Sequence, residues 1–199
     1  MEKLEMVLAT RNAGKAAELQ GLLRARYGAK ITLLTLSEIG FEGDIEETGQ
    51  TFAENALLKA RAAAAASGKI GLGDDSGLVV PALGGAPGIY SARYAGEPAD
   101  FAKNRAKLLA ALAGISNRRA QFRTVVSLIL NDKTYFFEGI VTGRIIAEER
   151  GVGGFGYDSV FVPDGYDKTF AELPAAVKNS ISHRARAMEQ LNNFLTQHP

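Results

Sequence analysis

Two adjacent carboxylates, Asp74 and Asp75, follow the short apolar run 69–73 and precede Ser76 and Gly77. Like charges repel, and a strand end over a core solvates them poorly, so this pair requires positive charge nearby. Mg²⁺ commonly takes one or two carboxylates together with water and substrate phosphate. One carboxylate could therefore hold a metal ion while the other polarises an attacking water. The alternative is a turn in which both aspartates cap backbone amides.

A second candidate is the segment 10–15, Thr-Arg-Asn-Ala-Gly-Lys, between an apolar run and a helical pattern. Helix N-termini present free amides and partial positive charge, and Lys15 adds a full charge, which suits a phosphate. The spacing is not that of a P-loop. Taken locally, the segment fits a capped helix start with a solvated lysine equally well.

Two more charged residues could join this chemistry. Glu47 lies in the acidic, glycine-containing loop 41–50 and could supply a further metal ligand, although charged loops are usually solvated. Lys59 lies on the alanine-rich helix that begins at Thr51, where a surface lysine would be unremarkable.

The second half of the chain carries a glycine-rich loop and a group of cations. The loop 153–158 has more glycine than a hairpin needs, and Phe155 could lie flat against a base or pack into the core. Lys178, His183 and Arg184 stand at the predicted start of the last helix. Cations are disfavoured there, so their presence indicates an anionic or keto-bearing ligand.

The hydrophobic pattern predicts the elements that position these residues. A capping box at Thr51–Glu54 and a stop at Gly68 delimit one helix. The apolar face of the helix predicted at 100–113 is expected to consist of Phe101, Leu108, Leu109 and Leu112. We predict strands at 4–9, 31–36, 70–73, 78–80, 121–130, 134–146 and 157–162, and helices at 14–27, 51–67, 100–113 and from about 182. This order favours a mixed α/β or α+β fold, with a mixed sheet and a cleft between two lobes.

Composition narrows the functional classes. The 199 residues fit a single domain spanning 1–199, and the net charge of +1 argues against a nucleic-acid partner. The chain contains no cysteine and two histidines, which excludes disulfides and disfavours a zinc site. No apolar segment is long enough to span a membrane, and the N-terminal apolar run is too short for a signal peptide. We therefore expect a cytoplasmic protein.

Taken together, these segments resemble the inosine triphosphate pyrophosphatase family, which hydrolyses non-standard purine nucleoside triphosphates. The resemblance covers nearly the whole chain, and ordered blocks are more specific than any one motif. The blocks are 10–15 with Glu18, 47–49, 52–56 with 59–60, 74–77, 83–94, 153–158, and Lys178 with 182–184.

The resemblance implies a two-lobed, elongated mixed α/β structure with a central nucleotide cleft, assembled as a homodimer. It implies hydrolysis of ITP, dITP and XTP to monophosphate and pyrophosphate with Mg²⁺, which keeps these nucleotides out of DNA and RNA. Glu47 and Asp75 would hold Mg²⁺, Asp75 would also accept the proton of the attacking water, and Asp74 would support the site. The implied substrate-binding residues are Thr10, Arg11, Asn12, Ala13, Gly14, Lys15, Lys59, Ser76, Phe155, Gly156, Tyr157, Asp158, Lys178, His183 and Arg184.

Selectivity against ATP has a physical basis in this assignment. The Arg184 guanidinium only donates hydrogen bonds, so it can pair with a 6-keto oxygen but would face the 6-amino group of ATP donor to donor. Asp158 could accept from a ring N–H. Three residues depart from the family pattern: Arg11 replaces Gly or Asn, Ser159 replaces proline, which predicts a looser loop, and Ala185 replaces glycine.

Two other functions were considered. One is a related pyrophosphatase that acts mainly on another nucleotide, such as a modified pyrimidine triphosphate. The other is a non-catalytic nucleotide-sensing or nucleic-acid-binding module, which the near-zero net charge and the intact Lys15, Glu47 and Asp75 set disfavour.

Overall fold

A computed structural model of the chain describes residues 4–10 and 12–198. The helices and strands alternate along the first half, and strands dominate the middle. In chain order the elements are β1 (Leu4–Leu8), α1 (Ala13–Tyr27), β2 (Ile31–Thr35), α2 (Phe52–Ser67), β3 (Ile70–Val79), α3 (Phe101–Ala111), β4 (Arg119–Leu130), β5 (Lys133–Ile145), β6 (Phe161–Pro163), α4 (Ala175–Ile181) and α5 (His183–Gln197).

The strands form one mixed sheet in the order β2-β1-β3-β4-β5-β6. β1 pairs in parallel with β2 and with β3, whereas β5 and β6 are antiparallel. The predicted mixed α+β class is therefore confirmed. Within the described residues, no helix is long and apolar enough to cross a membrane.

The chain divides into two compact units. The first contains the residues up to Asp75, Thr124–Gly139 and the residues from Arg184 onward, and the second contains Ser76–Arg123 and Ile140–His183. The core of the first includes Met6, Leu8, Leu19, Leu72, Leu128 and Leu191. The core of the second includes Leu78, Val80, Leu108, Leu112, Phe161 and Phe170.

Local sequence signals explain where several elements begin and end. Thr51 Oγ1 accepts from Glu54 N at 3.1 Å and the Glu54 carboxylate accepts from Thr51 N at 3.2 Å, so the predicted capping box is confirmed. Asn131 and Asp132 both have positive φ, 50° and 60°, as a tight turn between β4 and β5 requires.

Other predictions were wrong. The strand predicted on each side of Asp74–Asp75 is one continuous strand, so the acidic pair lies inside β3 rather than at a strand end. The strand predicted at 157–162 contracts to β6, because 157–160 form turns. Lys178 lies on α4, a separate helix that was not predicted, so the three cations do not share one helix start.

The predicted apolar face of α3 was wrong at its first residue. Leu108 and Leu112 are buried as expected, whereas Phe101 is exposed. The Phe101 ring lies 6.3 Å from the Phe155 ring, within the second unit, rather than in the core of that unit.

Candidate functional site

Asp74 and Asp75 each contact a different lysine. Asp74 Oδ2 lies 2.9 Å from Lys15 Nζ, and Asp75 Oδ1 lies 3.3 Å from Lys59 Nζ. Successive side chains of a strand point to opposite faces of the sheet. The continuous course of β3 therefore separates the two carboxylates and gives each its own cation, which offsets part of their repulsion, although the charge of Asp74 still raises the pKa of Asp75.

The surroundings shift the pKa values of the two carboxylates in opposite directions. Burial alone would raise the pKa of Asp74, but the charges of Lys15, Lys59 and Arg184 outweigh it and hold that pKa at about 2. For Asp75 burial prevails and raises the pKa, although Lys59 and Lys15 oppose it. Asp74 is thus a fixed anion, and Asp75 is the more basic of the pair.

The two lysines also differ. Burial lowers the pKa of Lys15, and the nearby charges of Lys59 and Arg184 add to this effect against the opposing charge of Asp74. Burial alone would lower the pKa of Lys59 too, but Asp75, Asp74 and Glu47 together raise it. Lys59 is therefore held firmly in its charged form.

Glu47 and Asp75 converge on the same nitrogen. Glu47 Oε1 lies 2.5 Å from Lys59 Nζ, and Asp75 Oδ1 lies 3.3 Å from the same nitrogen. Two carboxylates around one positive centre form a donor set that fits Mg²⁺, which prefers oxygen ligands and usually completes its shell with water and phosphate. Among residues 4–10 and 12–198, no group of three or more Asp, Glu, His or Cys is arranged to hold a metal ion.

The predicted phosphate-binding segment is the capped start of α1. Asn12 is the N-cap, and its Oδ1 accepts from Lys15 N at 3.1 Å, while Asn12 N donates to Thr10 Oγ1 at 3.2 Å. Ala13 and Gly14 form the first helical positions. The Lys15 side chain extends to Asp74, so it is not the solvated lysine of the alternative interpretation. Arg11 lies outside the described residues.

Arg184, in the first turn of α5, belongs to this first unit. Its Nη1 donates to Glu18 Oε2 at 2.7 Å, and the Arg184 side chain is buried. Because its charge contributes to the pKa shifts of both Lys15 and Asp74, Arg184 adds to the positive potential of the same cluster. We refer to Lys15, Glu47, Lys59, Asp74, Asp75 and Arg184 as the charged cluster.

Close packing of α2 on β3 brings Lys59 to Asp75. A Cβ placed on Gly73 would lie 2.2 Å from the Ala56 carbonyl oxygen and 2.8 Å from Lys59 Cβ, which no side chain tolerates. The glycine therefore allows the helix to approach the strand directly. Sequence reasoning assigned no role to Gly73.

The glycine-rich loop of the second unit is organised by Asp158. Its Oδ2 accepts from Phe155 N at 2.8 Å and from Lys178 Nζ at 2.7 Å. Lys178 Nζ also lies 5.1 Å from the centre of the Phe155 ring. Gly154 has φ of 70°, and a Cβ there would lie 2.1 Å from Asp158 Oδ2, so this arrangement requires glycine. The structure thus brings together three of the predicted substrate-binding residues, Phe155, Asp158 and Lys178.

The remaining predicted residues of this unit are placed differently. The Tyr157 hydroxyl donates to the Ser91 carbonyl at 2.8 Å, and burial raises the pKa of Tyr157. The buried His183 ring stacks on Phe122 at 4.9 Å with an interplanar angle of 10°. Ser76 is a half-buried residue of β3.

Comparison with known proteins shows the family to which this chain belongs. Residues 6–194 match the model of the Ham1 family. The chain belongs to the Ham1 family. It is 46% identical over 193 residues to the dITP/XTP pyrophosphatase of Flavobacterium johnsoniae, covering 97% of this chain and 98% of the relative. It is 48% identical over 195 residues to the dITP/XTP pyrophosphatase of Bacillus subtilis, covering 96% of each chain.

Solved structures of the Ham1 family share this fold. A HAM1 protein from Coxiella burnetii is 45% identical with a TM-score of 0.88, over 98% of this chain and 99% of that one. The Staphylococcus aureus Ham1 protein is 43% identical with a TM-score of 0.87, over 98% and 100%.

Two functional candidates in this Ham1-family chain were missed by sequence reasoning. Asn55 on α2 is fully buried and accepts from Gly49 N at 2.8 Å, while its amide donates to Asp75 Oδ2 at 3.3 Å. Arg105 on α3 donates to the Gly156 carbonyl at 2.9 Å. Asn55 lies within 52–56, one of the segments that carry the family resemblance. The local sequence, however, does not distinguish Asn55 or Arg105 from an ordinary polar residue on the surface of a helix.

Proposed function

We propose that this chain hydrolyses the non-standard purine nucleoside triphosphates ITP, dITP and XTP to the monophosphate and pyrophosphate, which prevents their incorporation into DNA and RNA. Family membership and near-full-length similarity to proteins named dITP/XTP pyrophosphatase support this proposal. The observation that carries it is the arrangement of Lys59 between Glu47 and Asp75, because it combines two metal-type carboxylates with a cation suited to phosphate.

The triphosphate is assigned to the charged cluster and to the start of α1. Within the cluster, Lys15 and Lys59 supply positive charge to the phosphates, and the amides at 12–15 add the partial positive charge of a helix start. Glu47 and Asp75 would hold Mg²⁺, which when bound neutralises phosphate charge and polarises the oxygens of the reacting phosphate. We assign the remaining contacts with the phosphates to Thr10, Arg11, Asn12, Ala13 and Gly14.

Asp75 is the proposed proton acceptor. Water adds across the phosphoanhydride bond that joins the α- and β-phosphates, this bond breaks, and pyrophosphate leaves. The proton of the attacking water passes to the Asp75 carboxylate. Its raised pKa, caused first by burial, supports this role, because Asp74 beside it is held too acidic to accept a proton.

The purine is assigned to the glycine-rich loop. Phe155 is proposed to stack on the base, with Gly156, Tyr157 and Asp158 shaping the pocket. Ser76, Lys178 and His183 are proposed to contact the nucleotide. Arg184 is proposed to donate to the 6-keto oxygen, which disfavours ATP.

One panel of assays tests the function. Pyrophosphate release is measured from ITP, XTP, dITP, GTP and ATP, with Mg²⁺ and with EDTA. We expect ITP, dITP and XTP to be preferred and activity to require Mg²⁺. Equal rates on ATP and ITP would contradict selectivity for a 6-keto group. A failure to release pyrophosphate from any of the purine nucleoside triphosphates would contradict the proposed reaction itself.

Family resemblance also supports a homodimer in the cytoplasm. Light scattering of the purified full-length chain tests the assembly, since a monomer and a dimer of a 21.2 kDa chain are well separated in mass.

A further inference from the structure

The loop 151–158, which contains the glycine-rich segment 153–158, is closed at its base by backbone hydrogen bonds. Arg150 N donates to the Ser159 carbonyl at 2.8 Å, and Ile146 N donates to the Val160 carbonyl at 2.9 Å. On its first side the loop lies against Ala171, whose carbonyl accepts from Gly153 N at 3.1 Å. These contacts hold the entry of the loop but not the part that carries Phe155.

Side chains from outside the loop hold its second side. Arg105 on α3 donates from Nη1 to the Gly156 carbonyl at 2.9 Å and from Nε to Glu149 Oε2 at 2.8 Å. The Ser159 hydroxyl donates to the same Glu149 oxygen at 3.0 Å. Glu149 Oε2 thus connects Arg105 on α3 with Ser159, and the two residues Glu149 and Ser159 stand just before and just after the loop.

The charge on Glu149 suits this role. The hydrogen bond from Arg105 and a second one from Ser159 lower the pKa of Glu149 despite partial burial. The carboxylate is therefore an anion at neutral pH and accepts both bonds. Because Arg105 presents a planar guanidinium with several donors in fixed geometry, it binds the carboxylate and the Gly156 carbonyl through two different nitrogens. Lysine has a single nitrogen and would have to reach both acceptors from one point.

The position of the Gly156 carbonyl fixes the peptide next to Phe155. Lys178 Nζ lies 5.1 Å and the Phe101 ring 6.3 Å from the centre of the Phe155 ring, and Phe101 lies on α3 about one turn before Arg105. Holding Gly156 to α3 therefore sets where the Phe155 ring stands relative to these neighbours.

We propose that Arg105, Glu149 and Ser159 form a loop clamp that positions Phe155 and so sets the affinity for the purine base. The part of this inference that concerns the base rests on the proposed function. Ser159 stands where proline is common in the family, and we expected a looser loop on that account. The serine hydroxyl instead adds a tether that a proline side chain could not make. Arg105 is a positioning residue, since it acts through Gly156.

Amide hydrogen exchange tests the clamp without any substrate. In Arg105→Met and, more mildly, in Ser159→Ala, we expect exchange in peptides covering 151–158 to become about three- to tenfold faster, as for loss of one or two partly exposed hydrogen bonds. Lys103→Met is the matched control, because Lys103 is exposed on the same helix. Unchanged exchange at 151–158 in both clamp variants would overturn the proposal.

Steady-state kinetics tests the link to the base. We expect KM for ITP to rise about three- to tenfold in Arg105→Met with kcat within about twofold, and Arg105→Lys to recover part of the loss. A fall in kcat with unchanged KM would overturn the positioning role. If the unmodified chain released no pyrophosphate from any purine triphosphate, the proposed function would fail, and the exchange experiment would still decide whether the clamp holds the loop.

Discussion

The buried side chain of Asn55 joins Asp75 to the acidic loop. Its amide donates to Asp75 Oδ2 at 3.3 Å, and its carbonyl oxygen accepts from Gly49 N at 2.8 Å, two residues beyond Glu47. The two proposed metal-binding carboxylates come from distant parts of the chain. Asn55 therefore ties Asp75 and the loop that carries Glu47 to α2, and Lys59, one turn further along that helix, contacts both carboxylates directly.

Asn55→Ala is expected to weaken metal-dependent activity. Removing the side chain deprives Gly49 N of its acceptor and Asp75 of a donor, so Lys59 is left as the contact from α2 that Glu47 and Asp75 share. We expect about 1–3 kcal/mol of lost stability and a several-fold increase in the Mg²⁺ concentration needed for half-maximal activity. Thermal unfolding and Mg²⁺ titration of pyrophosphate release measure the two effects.

Asn104→Ala is the control for that variant. Asn104 is an equally buried asparagine, and it makes structural hydrogen bonds to Ala95 N at 2.6 Å and to the Ala92 carbonyl at 2.8 Å in the second unit. It should destabilise to a similar extent without changing the Mg²⁺ requirement. An identical shift in both variants would reduce the role of Asn55 to general stability.

Asp75→Asn should abolish most of the activity without loss of fold. The variant removes the proposed proton acceptor and one metal-binding carboxylate, so we expect a fall in kcat of about 10³-fold or more. Circular dichroism and pyrophosphate release measure fold and activity. The control is Asp132→Asn in the β4–β5 turn, where Asn tolerates the positive φ of 60°. Near-normal turnover of Asp75→Asn would refute the assigned role.

The same variant makes a prediction about stability. Burial raises the pKa of Asp75 in the folded chain. A carboxyl with a raised pKa favours folding while it is protonated, and this contribution is lost as the pH rises through the folded pKa. At pH 7 and without divalent ions, the Asp75 charge therefore opposes folding. We expect the Tm of Asp75→Asn in EDTA to equal or exceed that of the unmodified chain.

Asp74→Asn should behave in the opposite way. The pKa of Asp74 is about 2 in the folded chain, below its ordinary value of 3.8, because Lys15, Lys59 and Arg184 outweigh the effect of burial. A carboxyl whose pKa is lower in the folded chain stabilises the fold. This contribution is fully present at pH values above the pKa of the unfolded chain and is lost as the pH falls through the pKa of the folded chain. At pH 7 we expect Asp74→Asn to lose about 2 kcal/mol, roughly the free energy of that shift. Denaturant unfolding should show this loss shrinking below about pH 4.

Part of this organisation was predictable because its signals are local. The capping box of Thr51 with Glu54 specifies the start of α2, and the electrostatic cost of two adjacent carboxylates directs attention to Asp74 and Asp75. The continuity of β3 through that pair was not predictable, since Asp and Gly are disfavoured in strands and only tertiary contacts with two lysines compensate them. The role of Asn55 could not be predicted for the same reason, because Asp75, to which its amide donates, is distant in sequence.

The final prediction concerns the contact between α2 and β3. A Cβ at Gly73 would meet the Ala56 carbonyl and Lys59 Cβ, whereas one at Gly71 would lie 2.1 Å from the Ala60 carbonyl and 2.8 Å from Ala64 Cβ, further from the charged cluster. Both Gly→Ala variants must push the helix outward and should lose about 1–3 kcal/mol of stability.

Only Gly73→Ala displaces Lys59 directly. We therefore expect the kcat of Gly73→Ala to fall about 10²-fold, which is the effect of a misplacement near 1 Å. The kcat of Gly71→Ala should fall far less. Denaturant unfolding and single-turnover pyrophosphate release, measured on the same preparations, separate the two effects. If kcat fell equally in both variants for equal loss of stability, Gly73 would act through packing alone. A selective loss in Gly73→Ala would mean that the distance between this helix and this strand determines catalytic geometry.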